Sequence, residues 1–406
     1  MQKFEKHSPV VVTEVTTKHE LRQFMQYPNR LYADNPNYIP SFYGDDLSDY
    51  TPGKNPAFDY CEARCWLARR DGEIVGRIGA ILSHKANDKF GTHRMRFSQV
   101  DFVDDSEVSA ALFGTVERWA REKGCDQVHG PLGFTDMDRE GMLVEGFDRR
   151  SLFFTNYNAP YYLEHLTRLG YRKDVDWIEY RITVPEPGGA EAERLHKLSE
   201  FILKRKHLHV ATVHHKSEYG PFVRQVFELV NAAYAPLYGV VELSDEQIER
   251  YANKFIPLVD PDFVCFVVDE QEKLVAFGVT ALDPSVALKH SDGRLFPFGW
   301  AGVLNDLHHS DTLIMLLTAV RPDLQAEGIN AVMMDHVCQS CNRHGVRFAE
   351  TGPMLELNDH ILAQWKRLEK EQHKRRRCFI KDLDHDVNAA NAAAAQTETP
   401  ETESAE

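Results

Sequence analysis

One order of predicted elements occurs twice along the 406-residue chain, and this repeat limits the fold more than any other feature. Apolar runs, capping boxes and glycine turns predict strand, helix, hairpin, strand, helix, strand, helix and strand over residues 10–184, and again over residues 209–383. Each copy has about 180 residues, too many for one unit of a solenoid. The pattern predicts an α/β protein made by tandem duplication, with a mixed sheet covered by helices on both faces.

A change in composition separates the two copies. The pattern is interrupted by two prolines and two glycines, Pro185, Pro187, Gly188 and Gly189. A helix of about 17 residues is predicted to begin near Ala190. We therefore divide the chain into four parts: a first lobe (residues 1–188), a connecting helix (189–208), a second lobe (209–383) and a low-complexity tail (384–406) that is predicted to be disordered.

Composition excludes several classes of protein. The net charge of -15 has the wrong sign for a protein whose main partner is nucleic acid. The N-terminus lacks the apolar stretch of a signal peptide, and the longest apolar run, near residues 313–320, is too short to span a membrane. These features predict a cytoplasmic protein.

The cysteines indicate a reducing environment. They are few and odd in number: Cys61, Cys65, Cys125, Cys265, Cys338, Cys341 and Cys378. Cys338 and Cys341 lie near His336 and His344, but all four fall on one predicted helix and no second ligand pair follows at the spacing of a zinc site. The sequence therefore favours free thiols and predicts no metal.

The segment LLTAVRPDLQAEGINAVMMDHV carries the most specific chemical signal. It predicts a strand that ends at Val320 and Pro322, then a turn with Gln325 and Gly328, and then a helix that begins near Asn330. Unpaired N–H groups and the helix dipole make such a helix N-terminus suitable for a pyrophosphate. Gly328 allows close approach because it has no Cβ.

This segment resembles the acyl-CoA loop of the GCN5-related N-acetyltransferase superfamily. That loop is Gln or Arg, two residues, Gly, one residue, then Gly or Ala, and Gln325 to Asn330 follow it except that Asn330 replaces the last small residue. The resemblance implies a mostly antiparallel sheet and acetyl-CoA or acyl-CoA as co-substrate. It implies that CoA contacts Thr318, Val320, Gln325, Glu327, Gly328, Ile329, Asn330 and Asn358.

The first lobe lacks such a loop. Asp104, Asp105 and Glu107 stand at the start of its corresponding helix, where they would repel a pyrophosphate. Its segments QVHGPLGFTDMDREGMLVEGFD and NYNAPYYLEHLTRLGYRKDVDWIEYRI resemble the two-lobed branch of the superfamily that includes the bacterial ceramide synthases. That resemblance implies transfer of a fatty acyl group from a thioester to the amine of a long-chain base.

Three groups of residues are candidates for roles in such a transfer. Glu350, at the end of the strand VRFAE, is the candidate general base. The glycine-punctuated loop GFTDMDREGMLVEG is crowded with charge, and its Asp136, Asp138 and Glu145 are candidates for binding the acceptor ammonium. The basic run KRLEKEQHKRRRCFIK could contact the 3′-phosphate of CoA or an anionic membrane surface, or could be a solvated helix end.

Two alternative functions stay open on sequence alone. One is acetyl transfer to a small polar amine, and the other is a non-catalytic module that binds acyl-CoA or another protein. A long apolar tunnel would favour the lipid substrate, a shallow acidic pocket would favour the polar amine, and a blocked thioester site would favour the module. The sequence does not predict the oligomeric state.

Overall fold

The computed structural model describes residues 8–383, so the predicted disordered tail and the first seven residues lie outside the described part. The strands are β1 (Val11–Glu14), β2 (Cys61–Arg70), β3 (Glu73–Ser83), β4 (Arg94–Phe102), β5 (Gln127–Gly130), β6 (Met142–Glu145), β7 (Arg172–Thr183), β8 (His209–Val210), β9 (Val264–Val268), β10 (Leu274–Leu282), β11 (Thr312–Val320), β12 (Phe348–Thr351), β13 (Met354–Leu355) and β14 (Lys370–Asp382).

The α-helices are α1 (Lys18–Leu31), α2 (Tyr43–Asp49), α3 (His84–Phe90), α4 (Ser106–Glu122), α5 (Tyr162–Arg168), α6 (Ala190–Lys206), α7 (Gly220–Tyr234), α8 (Asp245–Phe255), α9 (Ser285–His290), α10 (Gly299–His309), α11 (Asn330–His344) and α12 (Asp359–Ala363). The predicted capping boxes are present, since Thr17 and Glu20 cap α1 and Ser244 and Gln247 cap α8. None of the helices within residues 8–383 combines the length and apolar character needed to cross a bilayer.

All fourteen strands belong to one sheet, with the order β1-β2-β3-β4-β5-β14-β7-β12-β11-β10-β9-β8. The order is symmetrical about its centre, with β1 to β5 on one side matching β8 to β12 on the other. Among the described strands, only the β4–β5 and β11–β12 pairs are parallel. The predicted tandem α/β fold with a mixed, mostly antiparallel sheet is confirmed.

The two lobes exchange their last strands. β14, at the end of the second lobe, pairs with β5 and β7 of the first lobe. β7, at the end of the first lobe, pairs with β12 of the second. The boundary near residue 188 therefore separates two segments of the sequence, but it does not separate two sheets. The strands of both lobes are hydrogen-bonded into one continuous sheet.

Helices cover both faces of the sheet in each lobe, because the strands are apolar on both sides. In the first lobe, Trp66 and Ala68 face α4, while the alternate residues Cys65 and Leu67 belong to the cluster under α1. In the second lobe, α6 and α11 cover one face, and α7 and α8 cover the other. Between α7 and α11 the second lobe leaves space at the sheet.

The C-terminal basic run does not form the solvated helix end that the sequence allowed. It forms β14, and its charges are neutralised inside the sheet by the acids of β7. Lys374 and Arg376 are buried against Glu179, and Arg375 and Arg377 pair with Asp176. A solvated helix end is therefore wrong for this run, because strand exchange places it at the centre of the molecule.

Candidate functional site

The loop between β11 and α11 has the backbone geometry of an anion-binding turn. Ala326 and Gly328 have left-handed φ angles of 63° and 84°, which turn successive N–H groups to one side. Within residues 8–383, the N–H groups of Gly328, Ile329 and Asn330 donate to no protein acceptor. Three donors at the start of a 15-residue helix are thus free for a negatively charged group.

Cations of the connecting helix lie beside this loop. The Lys206 ammonium is 2.7 Å from the Glu327 carboxylate and lowers the pKa of that carboxyl. Gly328 faces the same helix, since a Cβ there would stand 3.0 Å from the Ile202 side chain. Gln325 instead folds back, and its side-chain amide donates to the Val320 carbonyl at 3.2 Å.

β11 and β12 part next to this loop. Their parallel pairing runs only from Thr312 and Phe348 to Met315 and Thr351, after which β11 continues to Val320 paired with β10 alone. The gap is open to both faces of the sheet. It resembles a slot through which a narrow chain could pass, flanked by residues 316–320 on the edge of β11 that faces away from β10.

A cavity lies on each side of the gap. The first, the α11 cavity, has a volume of about 180 Å³ and lies among β11, α11 and α12, with Thr318, Asn330, Met333 and Trp365 in its wall. The second, the α7 cavity, has a volume of about 240 Å³ and lies on the opposite side, under α7 and α8. Both are lined by the same six residues at the gap: Tyr234, Val279, Leu316, Leu317, Gly352 and Pro353.

The α7 cavity is apolar except at one end. Its walls include Val223, Phe227, Phe255 and Phe266 of the second lobe, and its polar end consists of acids from the first lobe: Asp136, Asp138 and Glu140. Burial raises the pKa of Asp136 to about 6 and that of Glu140 well above its ordinary value. The cavity is therefore completed only by both lobes.

The three acids of the loop that were predicted to bind the acceptor do not share one environment. Asp136 and Asp138 line the α7 cavity, but the Asp138 carboxylate also accepts the N–H of Phe134 at 2.8 Å and so holds the turn. Glu145 lies on β6, pairs with Arg375 at 3.3 Å and is not among the lining residues of either cavity. Glu140, which the sequence did not single out, takes the third position.

Glu350 lies within a buried ion network. Its carboxylate is 3.3 Å from the Lys374 ammonium and 3.4 Å from the Arg181 guanidinium. Its neighbours Ala349 and Thr351 line the α11 cavity, whereas Glu350 lines neither cavity, because side chains alternate along β12. Lys374 also reaches Glu179, whose pKa burial alone would raise but which the Arg376 and Lys374 charges lower.

Two other predicted CoA contacts, Thr318 and Asn358, differ in their position relative to the α11 cavity. Thr318 lines the α11 cavity, and its carbonyl accepts the Tyr234 hydroxyl at 2.7 Å. Asn358 accepts the N–H of Ile361 at 3.3 Å and caps α12, a helix of only five residues. Ile361 and Trp365, rather than Asn358, line the cavity.

Behind the acidic end lies a buried polar cluster that joins the lobes. Within residues 8–383, His129, Asp174 and Cys378 are the set of side chains close enough together to hold a metal ion. The Tyr238 hydroxyl lies among them, donating to Asp174 at 2.5 Å and lying 2.9 Å from His129. Burial lowers the pKa of His129 to about 4. The hydroxyl satisfies this cluster by hydrogen bonding.

Sequence reasoning missed Tyr234, Glu140 and the apolar wall that α7 and α8 contribute. The motif FVRQVFELVNAAY predicts an amphipathic helix, but nothing in its spacing distinguishes a residue facing a cavity from one in a packed core. Glu140 was visible only as one acid among several on its loop. Its orientation depends on contacts between lobes, which the sequence order does not reveal.

Comparison with known proteins gives two relatives in sequence and no matching protein-family model. Protein YghO of Escherichia coli (strain K12) is 27% identical over 379 residues, which cover 92% of this chain and 95% of that protein. The bacterial ceramide synthase of Caulobacter vibrioides (strain NA1000 / CB15N) is 28% identical over 300 residues, covering 72% of this chain and 75% of that protein.

Solved structures share the two-lobed arrangement. A tandem GNAT protein from the clavulanic acid biosynthesis pathway superposes with a TM-score of 0.52 and 14% identity, covering 92% of this chain and 99% of that one. A GCN5-related N-acetyltransferase from Sphaerobacter thermophilus gives a TM-score of 0.50 and 12% identity, with 92% and 96% covered. The chain thus has the tandem fold of the GCN5-related N-acetyltransferase superfamily, and in sequence it resembles the branch that includes the bacterial ceramide synthase.

Proposed function

We propose that this protein is an acyl-CoA-dependent N-acyltransferase whose acceptor is a primary amine with a long apolar chain, such as a sphingoid base. The fold and the relation to a bacterial ceramide synthase support an N-acyltransferase in general. The acceptor class is supported by the α7 cavity, which combines an apolar wall with an acidic end.

The meeting of the two cavities at the parted strands carries the proposal. Six residues at the gap belong to both cavities, so a chain passing between β11 and β12 from the α11 cavity reaches the α7 cavity directly. Pantetheine is narrow and extended enough for such a slot. A thioester there would lie next to an amine whose tail fills the α7 cavity, and holding two reactants together supplies much of the rate.

The free N–H groups at the start of α11 fit the pyrophosphate of CoA. They stand at the outer end of the α11 cavity, where Asn330 belongs both to the loop and to the cavity wall. Asn330 in place of a smaller residue leaves its own N–H free within residues 8–383. The departure from the superfamily pattern is therefore compatible with binding of the pyrophosphate by the backbone.

The shape of the site also favours this function over the two alternatives. A small polar amine would leave the apolar wall of the α7 cavity exposed to water, which is unfavourable. A non-catalytic module would need no connection between the cofactor side and a second cavity. Metal-free chemistry, a cytoplasmic location and peripheral membrane contact stay predictions.

Calorimetric titration with palmitoyl-CoA and acetyl-CoA tests the cofactor site. The variant Gly328→Asp places a charge and a Cβ against the pyrophosphate and should weaken CoA binding at least tenfold. Gly72→Asp is the matched control, because Gly72 has nearly the same φ, 83° against 84°, and open space around it. Both variants place an aspartate at a glycine of nearly equal φ, but only Gly328→Asp lies in the loop and also contacts the Ile202 side chain.

Amide formation from palmitoyl-CoA and sphinganine, followed by mass spectrometry, tests the reaction. The proposal requires the intact protein to bind palmitoyl-CoA and to release the N-palmitoyl product. Binding without product would support the module. Faster turnover of acetyl-CoA with a small polar amine would replace the lipid acceptor with the polar one.

A further inference from the structure

Glu140 occupies an unusual position for a carboxyl group. It comes from the first lobe, immediately before β6, yet it lines the α7 cavity of the second lobe together with Asp136. Burial and the charges of Asp136 and Asp138 raise its pKa well above the ordinary value, and Arg96 opposes that rise. Within the described chain, no hydrogen-bond donor compensates it, so the carboxyl faces the cavity without a partner.

The surroundings of Glu140 leave one side open. Arg96 lies behind the loop, where its guanidinium donates to the carbonyls of Gly133 and Phe134 at 2.8 and 3.2 Å. Other titratable groups near the acids are Cys378 of β14, Tyr234 of α7, Tyr251 and Lys254 of α8, and Lys89 of α3. The arginine is thus engaged by backbone, and the open side is the apolar cavity.

We propose that Glu140 accepts the proton that the acceptor's ammonium must lose before acyl transfer, while Asp136 holds the charged head of the acceptor. This inference rests on the proposed N-acyltransferase function and assigns the proton acceptor to the first lobe. The first lobe then has a chemical role although its own phosphate loop is missing.

The ammonium R–NH₃⁺ gives one proton to the Glu140 carboxylate and becomes a neutral amine. The amine nitrogen attacks the thioester carbonyl, the C–N bond forms, the C–S bond breaks, and the leaving thiolate of CoA takes the second proton of the nitrogen. The products are an amide, CoA as its thiol, and a protonated Glu140 that returns its proton to solvent.

The contrast with Glu350 favours this assignment. Glu350 is held by Lys374 and Arg181 in the centre of the sheet and lines neither cavity. Its carboxylate is therefore already engaged by protein cations and does not border the space where an acceptor would bind. Glu140 lacks such partners, and a raised carboxyl pKa suits a base that works near neutral pH.

Steady-state kinetics of Glu140→Gln with palmitoyl-CoA and sphinganine tests the inference. The variant should lose at least tenfold in kcat at pH 7 with an unchanged KM for palmitoyl-CoA. The activity of the intact protein should fall as the pH drops through the raised pKa of Glu140, and the variant should lack that dependence. Raising the pH towards the pKa of the amine itself should restore much of the variant's activity.

The controls separate this proposal from the proposed function. Asp148→Asn removes a carboxylate that is 83% exposed on the following loop and should change neither kcat nor the pH profile. Wild-type kinetics in Glu140→Gln would overturn the role of Glu140 and leave the acyltransferase standing. If Glu350→Gln, and not Glu140→Gln, loses kcat and the dependence of activity on pH, the base is Glu350 and the role of Glu140 is overturned. Absence of amide product from the intact protein would overturn both proposals.

Discussion

The two lobes differ at the helix that follows the equivalent strands β4 and β11: the N-terminus of α4 is capped by an acid, and that of α11 is uncapped in the described chain. In the first lobe, β4 leads into Asp105, whose carboxylate accepts the N–H of Glu107 at 2.9 Å and so caps α4. In the second lobe, β11 leads into a loop in which the N–H groups of Gly328 to Asn330 have no protein acceptor among residues 8–383. A capped helix N-terminus is self-sufficient, whereas an uncapped one suits an anion from outside.

The gap between the parallel strands is closed in the first lobe and open in the second. In the first lobe, the Tyr162 hydroxyl accepts the N–H of Phe102 at 2.7 Å, and the Leu132 N–H donates to the Phe97 carbonyl at 3.0 Å. The cavity nearby is only about 30 Å³, room for about one water molecule. The second lobe keeps cavities of about 180 and 240 Å³ at the corresponding place.

The difference shows how a duplicated fold can divide its work. The first lobe has filled its slot with aromatic side chains and contributes β7 and an acidic loop to its partner. The second lobe keeps the slot open and contributes β14 in return. Strand exchange fixes the two lobes against each other, so that acids of one lobe can complete a cavity of the other.

Adding volume to each lobe should give the largest contrast. Ala80 of β3 is fully buried in the closed core of the first lobe, so Ala80→Phe should lower the free energy of unfolding by about 1–3 kcal/mol or more. Val279 of β10 borders both cavities, so Val279→Phe should fold with nearly unchanged stability but lose palmitoyl transfer at least tenfold. Urea unfolding and amide formation measure the two effects. Equal destabilisation by both substitutions would mean that the second lobe is as closed as the first.

Removing Arg70 tests why the first lobe tolerates acids at its helix start. The Arg70 guanidinium is 3% exposed and contacts Asp105 and Glu107 at 2.5 and 2.6 Å. Arg70→Met should lower the free energy of unfolding by about 1–3 kcal/mol, the usual contribution of hydrogen bonds to charged groups.

Arg321→Met is the matched change in the second lobe. Arg321 pairs with Asp323 near the surface, and its loss should cost less than about 1 kcal/mol. Denaturant midpoints at matched ionic strength measure both variants. If Arg321→Met lowers the free energy of unfolding as much as Arg70→Met does, the idea that only the first lobe stabilises its helix start with its own side chains is wrong.

Much of the fold could be predicted from sequence because its signals are local. Asp71-Gly72 marks a hairpin, Ser244 and Gln247 mark a helix start, and the order of elements repeats. The strand exchange could not be predicted in this way. A strand's partners are set by distant apolar and charged residues, and the basic run became β14 because Glu179 and Asp176 neutralise it.

The candidate site also has parts that local sequence predicts and parts that depend on distant contacts. The loop with Gly328 follows from its position between a strand and a helix, which the sequence shows directly. Glu350 and Glu145 are acids at strand ends whose orientation depends on pairing with Lys374 and Arg375, so their sequence positions were insufficient to assign roles. Asp136 was proposed from charge density alone, and its place in a cavity required the other lobe.

The acidic end of the α7 cavity should reduce stability at neutral pH. Burial raises the pKa of Asp136 from 3.8 to about 6, so the folded state binds a proton more tightly than the unfolded state between about pH 4 and 6. The free energy of unfolding therefore falls as the pH rises through that window. Asp136→Asn removes this loss and should be more stable by on the order of 1–2 kcal/mol above pH 6, with no difference below pH 4. Unfolding curves at several pH values measure it, and a variant less stable at pH 7 would show that the carboxylate is well compensated.

The smallest expected effect concerns Glu327, the acid next to Gly328 in the loop between β11 and α11. Its carboxylate pairs with Lys206 at 2.7 Å, on a surface where such a pair contributes little to stability. Glu327→Gln removes a negative charge next to the pyrophosphate and releases the Lys206 ammonium, so CoA should bind about two- to fivefold more tightly at low salt, and high salt should remove the gain. Glu193→Gln is the control, because Glu193 pairs with Lys197 on the same helix as Lys206. Tighter binding only in Glu327→Gln would show that the connecting helix contributes to the phosphate site. Weaker binding would show instead that Glu327 is needed to orient Lys206. The two lobes would then use an acid at the start of a helix differently: in the first lobe it caps the helix, and in the second it positions a cation beside the helix.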